Sequence, residues 1–200
     1  MDTRRFEAAL LELRSMRKAD RGRDLSGHIE GLLSQSWSSE ELFGLRCELV
    51  GELHRHGHYG KAEGVLHAEV EREPAEPFHS LQLAEHFHYY EVDLPRSLGF
   101  IAQAIGKAKS DGKFMYEALG IQARLAVETQ DWPLLEATLR NLASYEHTPG
   151  NADVFPETDF LSRIPAGVVS PAVVDAYVRR VEYLRSIDYS TMHGARRAGP

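Results

Sequence analysis

The sequence predicts an all-α protein, and two features carry that prediction. Helix formers dominate: 23 Leu, 21 Ala and 20 Glu stand against 12 Val, 6 Ile and 6 Thr. Straight-chain residues lose little rotamer freedom in a helix, whereas β-branched ones are stiff there and suit strands. Apolar residues also recur three or four apart along almost the whole chain, and period-two alternation is nearly absent. At 200 residues, 42% hydrophobic and 26% charged, the chain has the composition of an ordinary globular protein. That excludes wholesale disorder, a collagen-like repeat and a disulfide-stapled miniprotein.

The elements follow in order. The spacing of Phe6, Leu10, Leu13 and Met16 predicts a first helix over 3–18. Asp24 or Ser26 starts a second, carrying Ile29, Leu32 and Leu33. Ser38 followed three residues later by Glu41 is a capping-box pattern, and the helix it opens carries Leu42, Leu45, Leu49 and Leu53, with Gly57 placed to end it. The next helix runs over 60–73 and stops before Pro74. Two pairs follow, at 77–91 with 95–109 and at 112–129 with 132–146. Pro149-Gly150-Asn151-Ala152-Asp153 is a breaker cluster and marks a loop over 147–156. Pro171 sits at a first-turn position of a last helix, 171–187, with Val174, Val178, Val181 and Leu184 on one stripe.

Helix pairs with short connections allow a bundle or a solenoid, and internal periodicity chooses between them. The stretch from Gly57 through Tyr59, Ala62 and Leu66 to Pro74 resembles the second half of a tetratricopeptide repeat. Asp93 to Ser97 with Ile101 and Ala104, and Gln130 to Leu135 with Leu139 and Leu142, are weaker echoes of it, 35 and then 38 residues on. The first-helix signature residues of that family are mostly replaced, with Val50, Glu85 and Ala123 at the small pivot. The resemblance implies antiparallel helix pairs stacked as a short right-handed solenoid with extra N- and C-terminal helices. The expected organisation is one helical-repeat domain over 1–188, with a cap at 1–37, a repeat-like core at 38–146, C-terminal helices at 156–188 and a flexible tail at 189–200.

Charge narrows the function classes. The net charge is −7, with residues 40–91 alone contributing eleven acids against four bases. An acidic middle repels phosphate backbones, which argues against nucleic acid as the main ligand and suits a basic protein partner. No apolar run approaches the roughly 20 residues a bilayer span needs, and no apolar segment of the secretory kind follows Met1. With the single Cys47, these features predict a cytoplasmic protein.

Catalytic signatures are sparse. Phosphate-binding glycine loops, Gly-x-Ser-x-Gly, paired cysteines and His-Glu-x-x-His are all absent from the sequence. Cys47 lies mid-helix among charged residues and reads as a packed thiol. Seven of the ten histidines fall between His54 and His88. They read as groove and surface residues near turns, or alternatively as ligands of a metal-dependent enzyme or metal-binding protein. Gly57 counts against a helical His54–His58 ligand pair, because it interrupts the helix between them.

The family resemblance also implies a groove lined by the first helix of each pair. By position its lining is His54 and Arg55, then His79, Gln82, His86, Tyr89 and Tyr90, then Glu117, Arg124 and Glu128. Polar and aromatic residues there suit recognition of a protein or peptide. The expected function is thus a non-enzymatic interaction module without cofactor, in the manner of a bacterial adaptor or a neutralising protein of the immunity or antitoxin kind.

Overall fold

The computed structural model describes residues 3–108, 114–145 and 158–186. Among them are nine α-helices, one short 3-10 helix and no strand, so the chain is all-α. No helix among the described residues is long and apolar enough to cross a membrane. The loop expected over 147–156 and the tail over 189–200 lie outside the described residues. Contacts group the chain into two compact units, Met1–Arg72 and Glu73–Pro200, and the division falls inside the stretch read as one repeat-like core.

The first unit holds α1 (Thr3–Ala19), α2 (Ser26–Leu33), α3 (Ser39–Arg55) and α4 (Tyr59–Arg72). The capping box forms as its residues require: the Ser38 hydroxyl accepts the Glu41 N–H, and the Glu41 carboxylate accepts the Ser38 N–H at 2.8 Å. Leu13, Leu25, Ile29, Leu45, Leu53, Ala62 and Leu66 are fully buried and make its core. A Cβ on Gly44 would come within 3.0 Å of the Phe6 ring, so glycine lets the ring lie directly on α3. The same ring meets Trp37 edge to face at 6.0 Å, and Trp37 Nε1 donates to the Leu32 carbonyl. Cys47 is half-buried.

The second unit holds α5 (Pro77–Tyr89), α6 (Leu94–Ala108), α7 (Met115–Glu128), α8 (Trp132–Ser144) and α9 (Pro171–Ser186), with a 3-10 helix at Asp159–Arg163 before α9. Each helix packs on the next, from α5 on α6 through to α8 on α9, and the 3-10 helix packs on α7. Leu81, Ala84, Ile101, Ala104 and Leu125 form one core cluster, while Leu135, Leu139, Phe160, Tyr177 and Val181 belong to a second. The sequence carries no periodic signal for the 3-10 helix. It forms around Phe160, whose ring is buried 6.1 Å from that of Tyr177.

The expected internal periodicity has a backbone counterpart. Gly57, Val92 and Gln130 sit at the turns after α3, α5 and α7 with φ of +73°, +55° and +56°. The next residue's N–H reaches back to the helix it leaves: His58 to Leu53 O, Asp93 to Phe87 O and Asp131 to Ala126 O, each at 2.8 Å. Five residues on stand Ala62, Ser97 and Leu135, and nine residues on Leu66, Ile101 and Leu139, all at most 1% exposed. One turn-and-helix pattern therefore occurs three times, at intervals of 35 and 38 residues. The α5 turn has one more residue between donor and acceptor, and α5 ends at Tyr89 and not at 91 as its periodicity predicts.

Candidate functional site

Only the first of these turns is built on glycine; the third places a glutamine and the second a valine in the left-handed region. Glycine adopts positive φ without a steric cost, and an exposed glutamine does so with some, but a β-branched valine there is a conformational outlier. Val92 is also 71% exposed, and it follows two exposed tyrosines, Tyr89 at 51% and Tyr90 at 39%. Three large hydrophobic side chains are thus held in water within four residues.

Tyr89 and Val92 border a cleft of about 380 Å³ in the second unit. Its walls are His88 and Tyr89 from the end of α5, Val92 and Leu94 from the turn, Arg124 and Glu128 from α7, and Asp159, Phe160 and Arg163 from the 3-10 helix. Arg124 and Glu128 are one helical turn apart, so both side chains lie on the same face of α7. His88 is buried, and its Nε2 lies 2.8 Å from Glu128 Oε2. The other Glu128 oxygen faces Arg163 Nη1 at 3.7 Å. Arg124 donates to the Tyr89 hydroxyl at 3.4 Å and faces Asp159 Oδ1 at 3.8 Å. The His88 and Tyr89 rings meet at a tilt of 36° with centroids 4.3 Å apart. Two guanidinium groups and two carboxylates thus line one opening, and both arginine–carboxylate pairs are longer than a hydrogen bond. A peptide carboxylate or a basic side chain would find a counter-charge within this wall.

Further along the same two helices the character changes. Gln82 and Glu85 on α5 and Glu117 on α7 are half-buried. Burial raises the Glu85 carboxyl to about 7, and the nearby Glu117 pushes it the same way. Burial raises Glu117 as well. His79 and His86, expected to line the groove, are 1% and 0% exposed, so the surface of α5 is offered by Tyr89 and Tyr90 and not by these rings. The structure thus brings Tyr89, Arg124 and Glu128 together at one opening and leaves His79 and His86 inside.

His54 and Arg55 belong to the first unit. The His54 ring is half-buried 6.4 Å from Tyr59, and Arg55 donates to the buried Glu52 carboxylate. Glu52 also accepts the Leu25 N–H at 3.1 Å and Arg17 Nε at 3.0 Å. His56 Nε2 lies 3.2 Å from Glu52 Oε1, and His58 Nε2 lies 2.9 Å from Asp24 Oδ2. Hydrogen bonds from Ser26 to the Asp24 carboxylate lower it to about 2, so it is ionised throughout the neutral range. Donor atoms of Asp24, Glu52 and His56 all fall within 4.8 Å of one another.

The sequence-based reading missed His88, Asp159 and Arg163 in the cleft, and Asp24 and Glu52 beside the histidines. His88 meets Glu128 across 40 residues of chain and His58 meets Asp24 across 34, separations at which sequence spacing carries no signal.

Comparison with known proteins adds no relative. No family model matches the chain, and neither a curated protein nor a solved structure matches it.

Proposed function

We propose that this chain is a non-enzymatic protein-interaction module of the tetratricopeptide-like type, acting in the cytoplasm. The three equivalent turns at Gly57, Val92 and Gln130, with buried residues five and nine positions on, support the repeat reading. The observation that carries the function is exposed Tyr89 and Val92 on the rim of the Arg124–Glu128 cleft, with exposed Tyr90 next in sequence to Tyr89. Tyrosine and arginine are the residues on which interface energy concentrates, because they bury large amphipathic surface at low entropic cost. Holding an exposed valine in a strained backbone costs stability, and a site that recovers such a cost on binding is the ordinary reason for keeping it.

The partner is a protein segment carrying a basic side chain. Glu128 and Asp159 in the cleft, with Glu85 and Glu117 along the same two helices, supply the complementary charge, while Arg124 and Arg163 orient a carboxylate of the same segment. A small adaptor, or a neutralising protein for a basic toxin, is the concrete form of this reading.

The test uses two baits in parallel, the full chain and its Tyr89→Ala/Tyr90→Ala variant, in affinity capture from the source cells. A partner retained by the first and lost by the second is then titrated against both. The expected loss is about 2 kcal/mol or more, the size of an interface anchor. Equal affinity for the two chains would remove the cleft rim from the interface.

A further inference from the structure

We propose that Asp24, Glu52, His56 and His58 form a site for a divalent transition metal of the zinc class within the first unit. Two imidazole nitrogens and two carboxylate oxygens make a donor set that zinc accepts in tetrahedral geometry. Bonds of about 2.1 Å to such donors place neighbouring ligand atoms about 3.4 Å apart. Two of the required edges already have that scale: His56 Nε2 to Glu52 Oε1 at 3.2 Å and His58 Nε2 to Asp24 Oδ2 at 2.9 Å. The donors of Asp24, Glu52 and His56 lie within 4.8 Å of one another, so bringing these three to that spacing needs at most about 1.4 Å of movement, and His58 joins them through its contact with Asp24. The exposed Asp24 side chain can supply that movement.

The surroundings are those of a held ligand set. Glu52 is fully buried, and Arg17, Arg55 and the Leu25 N–H fix its carboxylate in place, as partners outside the coordination sphere commonly do for metal-binding carboxylates. Arg17 and Arg55 bring positive charge, which works against a cation. Arg17 is itself paired with Glu48 at 2.6 Å, and Arg55 is partly exposed to solvent, where its field is screened. Asp24 and Glu52 then supply two negative charges for a dication. His58 and Asp24 face solvent, which gives the ion a way in. His56 meets Glu52 at helical i,i+4 spacing, and the Gly57 turn that follows carries the chain to His58, which meets Asp24.

The experiment uses the full chain without a histidine tag, stripped with a chelator, and titrates zinc chloride by calorimetry. Cobalt(II) serves as a spectroscopic substitute. The expected result is one equivalent bound at micromolar affinity or better, a raised thermal midpoint, and intense visible cobalt bands of the tetrahedral kind. His56→Gln, His58→Gln and Asp24→Asn should each weaken zinc by about tenfold or more. Asp24 is exposed, so the Asp24→Asn variant keeps the fold and its helical circular dichroism even if a histidine variant does not. His67→Gln, outside the cluster, should leave the affinity unchanged. Absence of saturable binding, or zinc affinity that survives both His56→Gln and Asp24→Asn, would overturn the proposal.

Discussion

Glu85 concentrates an energetic conflict in a single residue. A carboxyl raised from about 4.5 to about 7 is one that the fold holds more easily in its neutral form. Its contribution to stability is therefore fully present below the unfolded value, near 4.5, and is lost as pH rises through 7. Glutamine has the same shape and no charge to desolvate. Glu85→Gln should leave stability nearly unchanged at about pH 3.5 and raise it at pH 8 by on the order of 1–3.5 kcal/mol, the upper figure being the whole shift at about 1.4 kcal/mol per unit. Denaturant melts of both chains at the two pH values check this, and equal midpoints at pH 8 would show that Glu85 is solvated. An ionised Glu85 is also what a basic side chain would seek, so this residue gives up stability near neutral pH at a place where a cationic partner would restore it. Its neighbour Glu117 is shifted in the same direction by burial.

At the scale of elements, the three turns carry one architecture with unequal local cost. The turn after α3 uses glycine, whereas those after α5 and α7 force Val92 and Gln130 into the left-handed region. Replacing Val92 with glycine removes the side-chain clash but adds freedom to the unfolded chain, and for a β-branched residue the first effect is the larger. Val92→Gly should raise stability by about 0.5–1 kcal/mol, read from the urea midpoint at constant slope. If the exposed valine belongs to the binding rim, the same variant should bind the partner less well. A destabilised Val92→Gly would mean that the valine side chain makes contacts that outweigh its backbone strain. Ser97 shows how the pattern tolerates a polar residue: at the position where Ala62 packs, its buried hydroxyl donates to the Ala84 carbonyl at 2.7 Å and so joins α6 to α5.

For the whole molecule, the uneven charge is the property with a measurable consequence. The stretch 40–91 carries eleven acids and four bases, while the chain as a whole is at −7. A field of that sign raises the encounter rate with a basic partner and is damped by salt, since the screening length falls from about 30 Å at 0.01 M to about 3 Å at 1 M. The association rate should fall by about tenfold or more between 0.05 M and 0.5 M salt, with a smaller change in dissociation, as stopped-flow mixing would read. A rate indifferent to salt would leave the acidic stretch as a solvated surface only.

How far the sequence alone reaches follows from the range of the interactions concerned. Ser38 and Glu41, Gly57, Pro74 and Pro171 announced helix ends because caps and breakers act within four residues, and the apolar spacing placed the nine α-helices of the described residues to within a few residues. The recurrence of the turn was legible for the same reason. Which side chains meet was not. His88 reaches Glu128, Arg17 reaches Glu52, and Arg163 faces Glu128 only after the helices between them have packed. The sequence placed His79 and His86 on an inward face but could not tell a face turned to an open groove from one covered by packing. The 3-10 helix at Asp159–Arg163 exists because Phe160 is buried against Tyr177, with no local propensity to foretell it. Local preference thus determined the helices and their ends, while the cleft, the buried histidines and the meeting of Asp24 with His58 were decided by tertiary packing, which joins residues 34 to 40 positions apart, beyond the reach of helical spacing.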